Sequence, residues 1–279
     1  GTTPNPSHLF VGSEGTLGLF EEIHLKLSPI PTTKVLGICH FKTFYEAMNA
    51  AQHLVTLGPS AVELIDRTMI DLSRDIPMFA RTVNLFVKGR PDALLLVEFA
   101  ETDQAENLRR LDQLEQMLGD LGQPNSLVRA EDLVFQKQIW EVRKQGLNIM
   151  MSMRGNSKPI SIVEDCAVEL KDLAEYTRRL TEVFEKHGTS GTWYAHASVG
   201  TLHVRPVLNL KQKLDVEALR AVAEEAFKLV REYKGSHSGE HGDGIARSEF
   251  HESMFGSDMV RLFEHVKQLV DPTGLFNPN

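Results

Sequence analysis

Thr192-Trp193-Tyr194-Ala195-His196-Ala197-Ser198-Val199-Gly200-Thr201-Leu202-His203-Val204 is the stretch whose reading decides the fold class. Two short strand-like runs, 192–196 and 201–204, flank Ser198-Val199-Gly200, a tripeptide suited to a turn. A hairpin makes its two strands antiparallel, whereas parallel neighbours need a long crossover. Upstream of it, Leu173, Tyr176, Leu180, Val183 and Phe184 form a helical apolar stripe closed by Gly188, 160–168 reads as a strand, and 133–151 reads as one helix. Further back, 94–99 is an apolar strand, and Asp103 caps a helix carrying Leu108, Leu111, Leu114, Leu118 and Leu121 before Gly122 stops it. The run 35–41 is a strand, 44–57 a helix closed by Gly58-Pro59, and 61–65 the next strand. Downstream, 216–233 is a helix ended by Gly235, and 259–270 is the last, stopped by Asp271-Pro272. Strands and helices joined in part by hairpins predict an α+β fold, an antiparallel sheet covered by helices.

The first thirty residues read differently. His8-Leu9-Phe10-Val11 is a short apolar strand running into Gly12-Ser13-Glu14-Gly15-Thr16-Leu17-Gly18. A second alternating run over 20–27, with Phe20, Ile23, Leu25 and Leu27 apolar, ends at Ser28-Pro29-Ile30-Pro31, whose prolines cannot continue a central strand. The domain boundary is placed near Pro31, so that 1–30 is the tail of an upstream domain and 31–279 a domain of its own. Starting on Gly1, the chain is expected to be a piece of a longer protein.

Composition removes several function classes. Lys+Arg 30 against Asp+Glu 38 gives a net charge of −8, and no basic stripe tracks a phosphate backbone, which disfavours a nucleic-acid partner. Only Cys39 and Cys166 are present, so neither a disulfide framework nor a four-cysteine metal or iron–sulfur site fits within this chain. A reducing, cytoplasmic compartment is expected. No uncharged apolar run reaches the roughly 18–20 residues of a bilayer span, and membrane association of the parent is left undecided.

Chemistry concentrates in two stretches. If the hairpin turns between Val199 and Gly200, His196 and His203 lie equally far from its centre and oppose one another, with Cβ atoms roughly 4.5–5.5 Å apart. Two such imidazoles can share a divalent ion, and Glu240, in Ser238-Gly239-Glu240-His241-Gly242-Asp243-Gly244, completes a two-histidine, one-carboxylate set with open positions for substrate. Against this, two histidines seven residues apart arise by accident, and the glycine-rich loop is as readily a tight turn after a helix. The Gly12–Gly18 segment suits an anionic or flat cofactor, or is simply a polar hairpin. Arg143 and Lys158 flank a polar connection and could anchor a substrate carboxylate, the arginine through its fork, although most such residues are merely solvated. Residue chemistry alone also leaves open a metal-dependent hydrolase or a non-catalytic ligand-binding domain.

Taken together, these stretches resemble FAD-linked oxidases of the vanillyl-alcohol oxidase type, in the branch of D-lactate, glycolate and D-2-hydroxyglutarate dehydrogenases. Phe10-Val11-Gly12-Ser13-Glu14-Gly15-Thr16-Leu17-Gly18 resembles the end of the FAD-binding domain, Ser238-Gly239-Glu240-His241-Gly242 the Ser-x-Glu-His-Gly motif, and Asp271-Pro272 through Asn277-Pro278 the closing Asp-Pro-x-x-x-x-Asn-Pro signature. The resemblance implies that 31–279 is the ferredoxin-like substrate, or cap, domain and that 1–30 is a remnant of a flavin domain lying mostly upstream. The fragment alone is then expected to be inactive and not to retain FAD.

Carried over residue by residue, the resemblance makes His196, His203 and Glu240 ligands of a divalent metal such as zinc and His241 the base. Arg143 and Lys158 become carboxylate binders, and Gly12, Ser13, Gly15, Thr16 and Asn277 face the flavin. It implies oxidation of a small 2-hydroxy acid to the 2-oxo acid, with electrons passing to an acceptor or an iron–sulfur module. The run from Glu240 to Ser248 is similar to a long subgroup whose iron–sulfur domain is fused downstream. Three departures stand out: Ala197-Ser198-Val199-Gly200-Thr201 where Gly-Asp-Gly-Asn is frequent, Arg205 where asparagine is common, and Leu147 where threonine is common.

Overall fold

Continuous runs of Val, Ile and Leu, the pattern of strands buried on both faces, make Val35–Phe41 (β1), Ala61–Asp66 (β2) and Ala93–Phe99 (β3) the centre of a sheet. A computed structural model of the chain describes residues 5–278. Between the strands the helices begin where side chains cap them. Thr43 and Glu46 form a reciprocal capping box at the start of α1 (Phe44–Leu54), which ends in a tight turn at Gly58. Asp66 caps α2 (Arg67–Asp75), and Pro77 opens α3 (Pro77–Phe86). Asp103 caps α4 (Gln104–Asp120), and Asp132 caps α5 (Leu133–Lys144), which follows β4 (Leu127–Ala130). Then come α6 (Gly146–Met151), two short strands, β5 (Lys158–Pro159) and β6 (Cys166–Ala167), and α7 (Leu173–Lys186). The hairpin β7 (Gly191–His196) and β8 (Thr201–Leu208) precedes α8 (Lys213–Glu232).

The sheet runs β4-β1-β3-β2-β7-β8-β5, with β6 also on β8, and every pairing is antiparallel, as the hairpin reading requires. Strand alternation sorts the side chains onto two faces. On one, Leu36, Ile38, Leu94, Leu96 and Ile65 join residues of α2, α3, α5 and α6 in a core that reaches Tyr194 on β7. On the other, α1, α4 and α7 cover the sheet: Gly37 lies so close to α4 that a Cβ there would sit 2.6 Å from Leu114, and Trp193 packs on Phe44 and Phe184.

Several boundaries differ from the sequence reading. The 133–151 helix is two, broken at Gln145, so that α6 starts a new direction with Gly146 against Met69. The 160–168 run is not one strand: ladder pairing covers Lys158–Pro159 just before it and Cys166–Ala167 within it, and the stretch between is a loop in which Asp165 takes a positive φ of 82°. His8-Leu9 lie in a 3-10 turn, Pro6–Leu9, opened by Pro6 and capped by Asn5. The alternating run 20–27 finds no ladder partner among the described residues.

Ile30–Gly239 makes one compact unit, and the described residues of Gly1–Pro29 and Glu240–Asn279 make the other. The second unit carries α9 (Gly244–Ser248), α10 (His251–Phe255) and α11 (Ser257–Val270).

Candidate active site

Within the larger unit the polar residues sit where β2, β7 and β8 lie side by side. Glu63 is the direct partner of His196, Ile65 of Tyr194, and Tyr194 in turn of His203. The expected direct pairing of His196 with His203 is therefore wrong: His196 opposes Thr201. The connection is a 3-10 turn, Ala197–Val199, closed by Gly200 at φ 72°, which moves the centre of the hairpin back to between Ser198 and Val199. The two histidines are consequently diagonal neighbours, and because the offset is two residues they keep the same face. Their rings still meet, with centroids 5.0 Å apart and planes nearly perpendicular.

Two buried carboxylates organise this patch. Glu63 Oε1 lies 2.8 Å from Nδ1 of His196, and its Oε2 accepts a 2.6 Å hydrogen bond from Nη2 of Arg143. The Arg143 guanidinium also sits over the Tyr194 ring, 4.8 Å from its centroid, a cation–π contact. On the neighbouring strand Arg205 Nη2 donates to Glu164 Oε1 at 2.6 Å, and Ser161 Oγ donates to Glu164 Oε2, also at 2.6 Å. His203 is 3% exposed and stacks on Tyr194 at 4.7 Å; its Nδ1 is 3.7 Å from Glu164 Oε1, an electrostatic contact rather than a hydrogen bond. Burial by itself raises the Glu164 carboxyl, but the hydrogen bonds from Arg205 and Ser161 and the charges of Arg205 and His203 outweigh it and hold the group below the usual carboxylate range. The Tyr194 phenol is raised by burial and then by the Glu164 charge.

Of the carboxylate-binding pair, Arg143 thus belongs to the patch. Lys158 is held by backbone carbonyls, those of Met153 and, at 3.4 Å, Met151. The end of this unit is pinned to β6 and to the hairpin: Ser236 bridges to Ala167, Ser238 Oγ donates to Asp165 at 2.9 Å, and a Cβ on Gly239 would come 3.0 Å from Thr201 Oγ1.

The smaller unit brings three expected segments together. The Glu14 carboxylate accepts the N–H groups of Asp243 at 2.7 Å and Gly244 at 3.0 Å, joining the Gly12–Gly18 loop to the loop after His241. Asn277 donates to the Glu14 carbonyl at 3.2 Å, and Thr16 donates to Ser13 at 2.6 Å. Lys267 ties the carbonyls of Thr16 and Phe276 to the Asp271 carboxylate. Its ammonium, ahead of two backbone N–H bonds, holds Asp271 down to about 2. Glu240 and His241 lie on the loop's approach, Oε1 to Nε2 3.3 Å.

Residues 30–279 match the family described as FAD linked oxidases, C-terminal domain. The chain belongs to that family. D-2-hydroxyglutarate dehydrogenase of Haemophilus influenzae is 28% identical over 98% of this chain, and the mitochondrial D-lactate dehydrogenase [cytochrome] of Arabidopsis thaliana is 27% identical over 98%. The chain spans 27% of the first of these proteins and 46% of the second. Among solved structures, p-cresol methylhydroxylase with substrate bound superposes with a TM-score of 0.70 over 98% of this chain and 56% of its own, at 14% identity, a likeness of fold. For a member of the FAD-linked oxidases the antiparallel sheet with helices is the expected C-terminal domain, and the hydrolase and binding-domain alternatives are not favoured.

A divalent ion can be tested against the residues themselves. Metal-ligating histidines almost always direct their second ring nitrogen to a carboxylate or carbonyl. His196 meets this pattern, with Nδ1 2.8 Å from the buried Glu63 and Nε2 left as its possible ligand atom, whereas His203 Nδ1 makes only an electrostatic contact with Glu164. The donor set fits. Sequence reasoning missed Glu63, Glu164 and Tyr194 because each is an ordinary strand or loop residue until the pairing is known. Arg205 was visible only as a departure from the family's asparagine.

Proposed function

We propose that the intact protein oxidises a D-2-hydroxy acid to the 2-oxo acid and that this chain supplies the substrate-side domain, with 1–30 as the tail of its flavin-binding domain. The observation that carries the reading is the grouping of two histidines, each backed by a buried carboxylate, with a buried arginine on one patch of sheet. Arg143 offers a guanidinium fork to the substrate carboxylate, and Lys158 is its second cationic donor. His196 and His203 would hold a divalent ion, with Glu240 assigned to it by the Ser-x-Glu-His-Gly resemblance, and such an ion would supply Lewis acidity that lowers the pKa of the substrate hydroxyl. His241 takes the hydroxyl proton as general base, a neutral imidazole being suited to the task near neutral pH. FAD would supply the acceptor for the Cα hydride, and the Gly12–Thr16 loop with Asn277 would contribute to its site. Electrons leave to an acceptor or an iron–sulfur module outside this chain.

The test is anaerobic mixing of the full-length flavoprotein with D- and L-2-hydroxy acids while flavin absorbance is followed. Bleaching by a D-acid is expected, and Glu240→Gln is expected to lower the reduction rate by at least 100-fold while FAD stays bound. Unchanged reduction in that variant would remove Glu240 from the mechanism, and no bleaching by any 2-hydroxy acid would remove the function.

A further inference from the structure

Glu63 carries no role in the sequence reading, and the family resemblance assigns it none. It nevertheless stands between the two residues on which the proposed chemistry leans most within this unit. Its side chain is 12% exposed, and both carboxylate oxygens are engaged: Oε1 lies 2.8 Å from His196 Nδ1, and Oε2 accepts from Arg143 Nη2 at 2.6 Å. Register explains the first contact, since Glu63 on β2 is the cross-strand partner of His196 on β7. The second comes from α5, whose last turn delivers Arg143 onto the same face. Nε of Arg143 is buried and has no hydrogen-bond partner among the described residues, so one edge of the fork is committed to Glu63 while Nε remains for another acceptor.

We propose that Glu63 is a positioning residue that sets the His196 imidazole and the Arg143 guanidinium together. The inference rests on the reading above, in which one holds the ion and the other the substrate carboxylate. A carboxylate accepting at Nδ1 fixes the tautomer that carries its lone pair on Nε2, and raises the basicity of that nitrogen. The same carboxylate, bonded to Nη2, stops the guanidinium from rotating about its long stem. Replacing it by an amide leaves the shape and breaks the logic: one of the two contacts then sets an N–H donor against a donor. A single substitution should therefore disturb two separate constants, ion affinity through His196 and substrate KM through Arg143. A merely structural glutamate would change stability alone.

The experiment uses the full-length holoprotein with Glu63→Gln and Glu63→Asp. Affinity for Zn2+ and for Mn2+ is measured by chelator competition, and KM and kcat are measured with D-lactate and D-2-hydroxyglutarate. Glu63→Gln is expected to lose about 10–100-fold in ion affinity and to raise KM with a smaller fall in kcat, with Glu63→Asp lying between it and wild type. In a His196→Ala background Glu63→Gln should have no further effect on ion affinity, and in an Arg143→Ala background none on KM. If Glu63→Gln does not fold, Glu63→Asp carries the same comparison. Wild-type ion affinity and KM in the substituted proteins, with or without a lower melting temperature, would overturn the inference and leave the proposed function standing. A wild type that neither holds an ion nor is reduced by a 2-hydroxy acid overturns both.

Discussion

A single glycine fixes how the two histidines are presented. Gly200 has φ 72°, and a Cβ built on it would lie 2.0 Å from the Val168 carbonyl oxygen, a backbone atom that cannot swing aside. Its own carbonyl accepts from Val168 N–H at 3.1 Å, so the clash and the bond share one partner. Left-handed backbone costs a non-glycine residue roughly 1–3 kcal/mol in strain, and displacement of the 168 segment adds to it. Gly200→Ala is therefore expected to lower unfolding free energy by about 2–4 kcal/mol, read as a shifted urea midpoint at unchanged slope. A change under about 0.5 kcal/mol would mean that the turn can take another path. The glycine was legible as a turn residue, but its exact register was not, because the 3-10 connection adds no signal to Ala197-Ser198-Val199. For the same reason Glu63 and Glu164 were illegible: each acquires its role from a partner 133 and 41 residues away in the chain, His196 and Arg205 respectively.

At the scale of elements, β2, α2 and β7 are joined by one buried carboxylate. Asp66 ends β2, caps α2 through a 2.7 Å bond from Met69 N–H, and accepts Trp193 N–H of β7 at 2.9 Å. Burial pushes its carboxyl up to about 7 even though both N–H bonds favour the ionised form. The sign follows from linkage: between its ordinary value and about 7 the folded chain keeps a proton that the unfolded chain has released, so this group's contribution is full in acid and is lost as pH rises through 7. Asp66→Asn retains an oxygen acceptor and removes the titration. The stability difference between wild type and Asp66→Asn should move in favour of the variant by roughly 2 kcal/mol from pH 5 to pH 8, measured by urea melts at both values; a pH-independent difference would show Asp66 ionised throughout.

The elements themselves were legible wherever a cap or a long apolar run marked them, as with Asp103 before α4 or the strands β1 and β3. They failed where tertiary context decides. Gln145 breaks a helix that its periodicity would continue, and 160–165 is a loop because β8 pairs only with the short segments on either side of it, Lys158–Pro159 and Cys166–Ala167.

The whole molecule poses the question of what covers its first segment. Leu19, Leu25, Leu27 and Ile30 are 88%, 76%, 83% and 90% exposed, and residues 20–27 have strand alternation but no ladder among the described residues. Contiguous exposed apolar rows of this kind mark surfaces meant to be covered. The family model begins at residue 30, the last of this row, and the chain spans 27% of the Haemophilus influenzae relative. On the proposal that 1–30 belongs to a flavin-binding domain of the parent, this row would pair and be buried there. The same substitutions should then have opposite consequences in two contexts. Leu19→Thr, Leu25→Thr and Leu27→Thr together should make the isolated chain better behaved, with less binding of a hydrophobic dye and a larger monomer fraction on size exclusion. In the full-length protein they should cost several kcal/mol, at about 1.5–3 kcal/mol for each buried leucine lost, and lower the FAD retained per chain. If the triple variant keeps wild-type flavin content and melting temperature in the full-length protein, the row is a surface there too, and the tail has been given to the wrong domain.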